Sequence, residues 1–137
     1  MVIALFLLMV GVGCKEEPSV SDIYHTWKFQ GFGNVSTGSF EKADAGTPAF
    51  ERNYMLTFEK DGKFSGYTTT NGISGEYIIN GKSLQLKDIF GTKIAERGNG
   101  YKYANALPVI ESYEIAKNKL KLYYNQGQQY LLYNLSN

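Results

Sequence analysis

Cysteine, histidine and proline are nearly absent from this sequence, with counts of 1, 1 and 3 in 137 residues. The single cysteine, Cys14, cannot close an internal disulfide, so the fold has to be held by its core. A transition-metal site assembles several His or Cys ligands, and a chain whose only histidine is His25 has too few to offer. We therefore expect no metal and no cofactor, with His25 an ordinary strand-edge residue beside Trp27. A Ser-His-Asp triad would need His25 as its base, and no nucleophile-elbow motif flanks any serine. Charge of one sign is also missing. Fourteen basic residues face 13 acidic ones for a net +1, so nothing marks a nucleic-acid partner. No period of 20–50 residues recurs, which removes solenoids and propellers. Gly31-x-Gly33 lacks the Lys-Ser/Thr that a phosphate loop requires.

What the chain does have is aromatic residues, 11 Tyr and 8 Phe, together with 15 Gly. That mixture favours strands and turns over helices. Residues 1–13, MVIALFLLMVGVG, form an uncharged apolar run too short to span a bilayer but suited to the core of a signal peptide. Val12-Gly13-Cys14 then resembles a bacterial lipobox, in which the cysteine is acylated and becomes the mature N-terminus. Gly11 stands where Leu is usual, and no Lys or Arg precedes the run, which points to a start codon upstream. Lys15-Glu16-Glu17 resembles the signal that sends Bacteroidetes-type lipoproteins to the outer face of the outer membrane. The expected organisation is a signal peptide over 1–13, a lipidated flexible tether over 14–22 and one domain over 23–137. The expected location is the outer membrane, lipid-anchored through Cys14 and displayed at the cell surface.

The domain is organised around residues 54–86, YMLTFEKDGKFSGYTTTNGISGEYIINGKSLQL. Tyr54, Leu56 and Phe58 alternate with Met55, Thr57 and Glu59 at the period of a strand. Asp61-Gly62 and Asn80-Gly81 are hairpin turns that call for φ > 0. Between them we read a strand over 64–70, an interruption at residues 71–75 with Gly75 at positive φ, and a resumed strand over 77–79: three consecutive strands in all. Upstream, Trp27 and Phe29 share one face of a first strand, and residues 31–50 read as a long loop. Downstream, residues 92–96 read as a short strand. Tyr103, Ala106, Leu107 and Ile110 then sit at helical spacing, with Asn105 as the candidate cap and Pro108 in the first turn. Strand periodicity returns at residues 113–115, 120–124 and 130–133. The fold class is mainly β: a small antiparallel barrel-like sheet of about eight strands with one short helix.

The order of these motifs resembles the META domain, also called HslJ-like. Trp27, the Leu56-Thr57-Phe58 strand, Asp61-Gly62-Lys63-Phe64-Ser65-Gly66, Asn71-Gly72-Ile73-Ser74-Gly75-Glu76-Tyr77, Leu84, Thr92, Leu107-Pro108-Val109-Ile110 and Leu120-Lys121-Leu122 carry the resemblance. Thr70 stands where the family often has Cys, so a redox role tied to that cysteine is absent. The resemblance implies a small β-barrel-like fold with one helix and no established catalytic residues. It also implies loose links to envelope stress, motility or secretion. Asp61, Gly62, Gly66, Asn71, Gly75 and Tyr77 are then motif residues with structural work, Asn71 holding a bulged turn.

No catalytic group is assigned. Paired carboxylates, for example Glu59 with Glu76, sit at turn-flanking, exposed strand positions and read as solvated surface, and Asp88 and Glu96 offer no more. Tyr77, Tyr103, Leu107, Tyr113 and Tyr124 are the candidate ligand or packing face. The expected function is that of a non-enzymatic envelope lipoprotein with a binding or structural role. Its partners would be the membrane, through its anchor, and an unknown envelope protein or small apolar ligand. A carrier of a small apolar ligand or lipid in a barrel cavity is the alternative.

Overall fold

A computed structural model describes residues 19–44 and 52–136. Signal run, Cys14 and Lys15-Glu16-Glu17 therefore lie outside the described residues. The domain is a meander of nine antiparallel strands: β1 (Thr26–Asn34), β2 (Phe40–Lys42), β3 (Met55–Phe58), β4 (Lys63–Tyr67), β5 (Gly72–Asn80), β6 (Ser83–Gly91), β7 (Ser112–Ala116), β8 (Lys119–Tyr124) and β9 (Gln129–Leu135). Strand β1 closes the ring. One edge pairs with β3 and then β2, and the other pairs along its length with β9, Trp27 opposite Leu135 and Asn34 opposite Gln129. Closure leaves few free edges for other chains to pair with.

The ring has one weak seam. Strands β6 and β7 meet only at Ser83 and Ser112. Helix α1 (Gly100–Ala106) and a single 3-10 turn (Leu107–Val109) run between them in sequence, and Tyr103, Ala106, Leu107 and Ile110 bury against the core. These are the four residues that helical spacing selects. The helix begins at Asn99, which makes no side-chain cap bond, so Asn105 is not its cap, and Pro108 opens the 3-10 turn instead. Pro108 has no N–H to give to a helix, which is why α1 stops short of it and tightens.

Inward-facing residues fill the interior. Trp27, Leu56, Leu84, Leu120, Leu122, Leu131, Tyr103 and Tyr133 are each 0% exposed. Two bulges adjust the alternation. An extra residue in β1, between Phe29 and Gly31 opposite β9, lets Phe29 and Phe32 both turn inward, their rings 5.0 Å apart and edge to face. The second lies between β5 and β6, where Asp88 takes φ 53°.

Several sequence expectations fail here for identifiable reasons. Strand β1 extends through Gly31 and Gly33, which read as loop, because β2 and β9 pair with it there, and glycine is required since a Cβ at either would strike the ring of Phe40 or Tyr130. Residues 54–86 hold parts of four strands, not three. The turn falls at residues 68–71, and residues 72–75 belong to β5. Gly75 is therefore a strand residue without positive φ, needed because its Cβ would lie 2.8 Å from Lys87 O and the Phe64 ring. Gly62 and Gly81 do sit at φ 85° and 60°. Residues 92–96 form no strand. Val20, placed in the tether, donates its N–H to Asn118 Oδ1 at 2.9 Å and packs against the core.

Candidate functional site

The helix-bearing rim of the barrel gathers the densest polar network among the described residues. Its base is the turn Thr68-Thr69-Thr70-Asn71, where the Thr68 N–H reaches Asn71 O at 2.8 Å and the Asn71 N–H reaches Thr68 Oγ1 at 3.0 Å. Short β-branched hydroxyl residues favour such local bonds over a continuing ladder. Above the turn pass residues 92–96, which form no strand, although the Thr92 N–H reaches Gly72 O of β5 at 3.2 Å. Asn71 holds them instead: Oδ1 accepts from the Ile94 N–H at 2.8 Å and the Thr92 hydroxyl at 2.7 Å, while Nδ2 donates to Ile94 O at 2.8 Å. The Asn71 amide thus replaces a strand partner, at 6% exposure.

Glu96 completes the network. Its carboxylate accepts hydrogen bonds from the Thr68 and Thr69 hydroxyls, from the Thr69 N–H at 3.2 Å and from Asn71 Nδ2 at 2.7 Å. Burial opposes its ionisation, but the donors outweigh burial and hold its pKa below the ordinary carboxylate value. A second acid, Asp44, accepts from the Asn99 N–H at 2.7 Å and the Tyr54 hydroxyl at 2.8 Å, tying the first turn of α1 to the chain after β2. Burial and then Asp44 push the Tyr54 phenol far above its ordinary value. Beneath them the fully buried hydroxyls of Tyr103 and Tyr133 bond each other at 2.8 Å, and burial raises both phenols.

The motif residues are structural in the same way. The Lys63 N–H bonds Asp61 Oδ1 at 3.0 Å, and Gly62 turns the chain. Tyr77 clamps that turn: its N–H reaches Gly62 O at 2.9 Å and its hydroxyl donates to Glu59 O. Gly66 admits strand β3, since a Cβ there would fall 2.2 Å from Met55 O. Asn71 does hold a turn, but by bonding residues 92–96 rather than its own backbone. Of the candidate ligand or packing face, Tyr77, Tyr103, Leu107 and Tyr124 are buried and Tyr113 is half-buried. They form no common groove: Tyr77 packs on Phe58 at one end, and Tyr103 packs on Phe29 and Tyr54 at the other.

Glu96, read from sequence as solvated surface, is the residue that reasoning missed. The run of hydroxyl residues 68–70 was the available signal, since adjacent donors invite one acceptor. Glu59 and Glu76 are exposed, and line with Lys63, Asp88 and Phe90 an open groove of about 420 Å³ on the outer face of β4–β6. His25 Nε2 lies 3.0 Å from Asp22 Oδ1, its ring edge-on to Trp27 at 6.1 Å. Among the described residues no three His, Cys, Asp or Glu side chains converge as metal ligands.

A ring of antiparallel strands, plugged by one short helix and fastened by side-chain bonds at its turns, defines a small closed β-barrel domain. The chain belongs to the META domain family, whose model matches residues 25–137. It is 26% identical to a Tannerella forsythia protein named "Putative lipoprotein", over 97% of this chain and 92% of that one. Two solved structures share the fold. A DUF4847 family protein from Bacteroides vulgatus superposes with a TM-score of 0.57 at 20% identity, covering 82% of this chain and 92% of that one. A protein from Burkholderia xenovorans gives 0.62 at 19%, covering 90% and 96%.

Proposed function

We propose that this protein is a non-enzymatic lipoprotein of the outer membrane, anchored through Cys14, whose META domain is a rigid module for binding or structural support in the envelope. The observation that carries this reading is the use made of the polar motif residues. Asp61, Asn71 and Tyr77, with Glu96 and Asp44, direct their hydrogen bonds to turns and backbone, an arrangement suited to rigidity rather than turnover. The apolar run ending in Val12-Gly13-Cys14 and the lipoprotein name of the Tannerella relative support the anchor. Acyl chains contribute about 0.8 kcal/mol per buried CH₂, so two or more hold a protein stably. Cys14→Ser is expected to move the protein from the membrane to the soluble fraction; a variant that still sediments with membranes in high salt would refute the anchor.

The carrier reading asks for an interior cavity, and the barrel interior is occupied by Trp27 and leucine side chains. Saturable binding of an apolar fluorescent probe by the Cys14→Ser protein would restore it.

A further inference from the structure

Strand polarity sorts the turns of the barrel into two rims. Thr26, at the start of β1, pairs with Thr57 near the end of β3, and Trp27 pairs with Leu135 at the end of β9. The β3–β4, β5–β6 and β7–β8 turns therefore all lie at the end where the chain enters, and the Val20 N–H is fixed there on Asn118 Oδ1 of the β7–β8 turn. All three turns carry lysine: Lys60 and Lys63, Lys82, and Lys117 and Lys119, every one exposed. Lys117 and Asn118 take φ 53° and 60°, a tight projecting turn. Asp22, Glu59 and Asp61 share this rim, three carboxylates against the five lysines, with Asp61 turned onto the Lys63 N–H and Asp22 onto the Tyr24 N–H at 3.1 Å. Tyr24, 40% exposed, adds an amphipathic ring of the kind that settles at membrane interfaces. Turns 34–39, 68–71 and 125–128 of the opposite rim contain no Lys or Arg, and Lys93, Arg97 and Lys102 of that rim sit on the helix-bearing segment instead.

Chain length decides which rim meets the bilayer. From position 14 to position 20 a fully extended chain reaches about 20 Å. Strand β1, nine residues long, runs about 30 Å along its own axis. A lipid at Cys14 therefore keeps the lysine-bearing rim within about 20 Å of the headgroups, a bound the helix-bearing rim, a strand length further on, does not share.

We propose that the Lys60, Lys82 and Lys117 turns form a basic foot that rests on anionic lipid headgroups, so that the domain stands on the membrane with its helix-bearing rim outward. This inference rests on the anchor reading above. Juxtamembrane lysines gain from an anionic surface, and the attraction fades with salt. The full-length lipidated protein, added to vesicles of phosphatidylcholine alone or mixed with phosphatidylglycerol, is labelled with a membrane-impermeant amine reagent and mapped by mass spectrometry. On the anionic vesicles Lys60, Lys82 and Lys117 are expected to label several-fold more slowly than on the neutral ones. Lys93 and Lys102, on the other rim, serve as unchanged references. In the Lys60→Glu/Lys82→Glu/Lys117→Glu variant, which stays anchored, the protection of Lys119 should vanish. Equal labelling of the foot on both vesicles, or protection of Lys119 that survives the triple substitution, overturns the proposal. Failure of the anchor shows separately: a Cys14→Ser protein that remains on vesicles in high salt overturns the anchor and with it the geometry used here.

Discussion

The Glu96 carboxylate is held by donors from three neighbouring positions, and its lowered pKa makes it a source of pH-dependent stability. The sign follows from linkage. Its folded value lies below the unfolded one, near 4.5, so the stabilisation is complete above that pH and is lost as pH falls through the folded value. Glu96→Gln turns one acceptor into a donor facing donors, and is expected to cost about 1–3 kcal/mol at neutral pH. Its urea midpoint should also fall less steeply in acid than that of the natural protein; parallel acid limbs would show that Glu96 does not contribute. The buried Tyr103–Tyr133 pair offers a second residue-scale measurement. Tyr103→Phe or Tyr133→Phe alone strands the other hydroxyl and should cost about 1–3 kcal/mol, whereas the double replacement should cost less than the sum. Additive losses in the double-mutant cycle would mean that the hydroxyls do not depend on each other.

At the scale of elements, the Asn71 side chain fixes the middle of residues 92–96, between the Thr92 N–H on Gly72 O and the Glu96 carboxylate on Thr68 and Thr69. Asn71→Ala removes the acceptor of the Ile94 N–H and the Thr92 hydroxyl. Amide exchange at Ile94 should rise toward that of a free loop while the amides of β8 and β9 stay protected; unchanged protection at Ile94 would reassign what holds the segment. The glycines separate two kinds of constraint. Gly81→Val is strained at φ 60° and should cost about 1–3 kcal/mol. Gly75→Ala has an ordinary φ but overfills the contact with Lys87 O and Phe64, and overpacking costs about 1–3 kcal/mol. A Gly75→Ala protein melting at the natural temperature would mean that β5 and β6 can part without penalty. From sequence the two positions look alike, each a glycine in a polar, turn-rich context. Only the strand across from Gly75 tells them apart.

For the whole molecule, the packed interior and the ring closure set the expectation. Leu107 is 1% exposed between the helical segment and the core, and Leu107→Ala should cost about 2–5 kcal/mol, as truncation in a filled core does. A loss well under 1 kcal/mol by thermal melting would indicate space beneath the helix and favour the carrier reading. Because β1 pairs with both β3 and β9, the first and last strands complete one sheet. Unfolding is then expected as a single transition whether followed by tryptophan fluorescence, which reports Trp27, or by far-UV circular dichroism.

Local chemistry was enough for the sequence to determine the β class, the Asp61-Gly62 and Asn80-Gly81 turns and the burial of Tyr103, Ala106, Leu107 and Ile110, although the helix carrying them ends at Ala106. Alternation, hairpin dipeptides and helical spacing act over a few residues and can be read without a partner. The order of those local signals was also enough for the family. The tertiary structure decided the rest. Gly31 and Gly33 became strand because β2 and β9 pair with them, residues 72–75 became strand because β4 and β6 flank them, and Glu96 became an internal acceptor because the turn at residues 68–71 arrives beside it. Each depends on a neighbour distant along the chain, at a separation that no local pattern records.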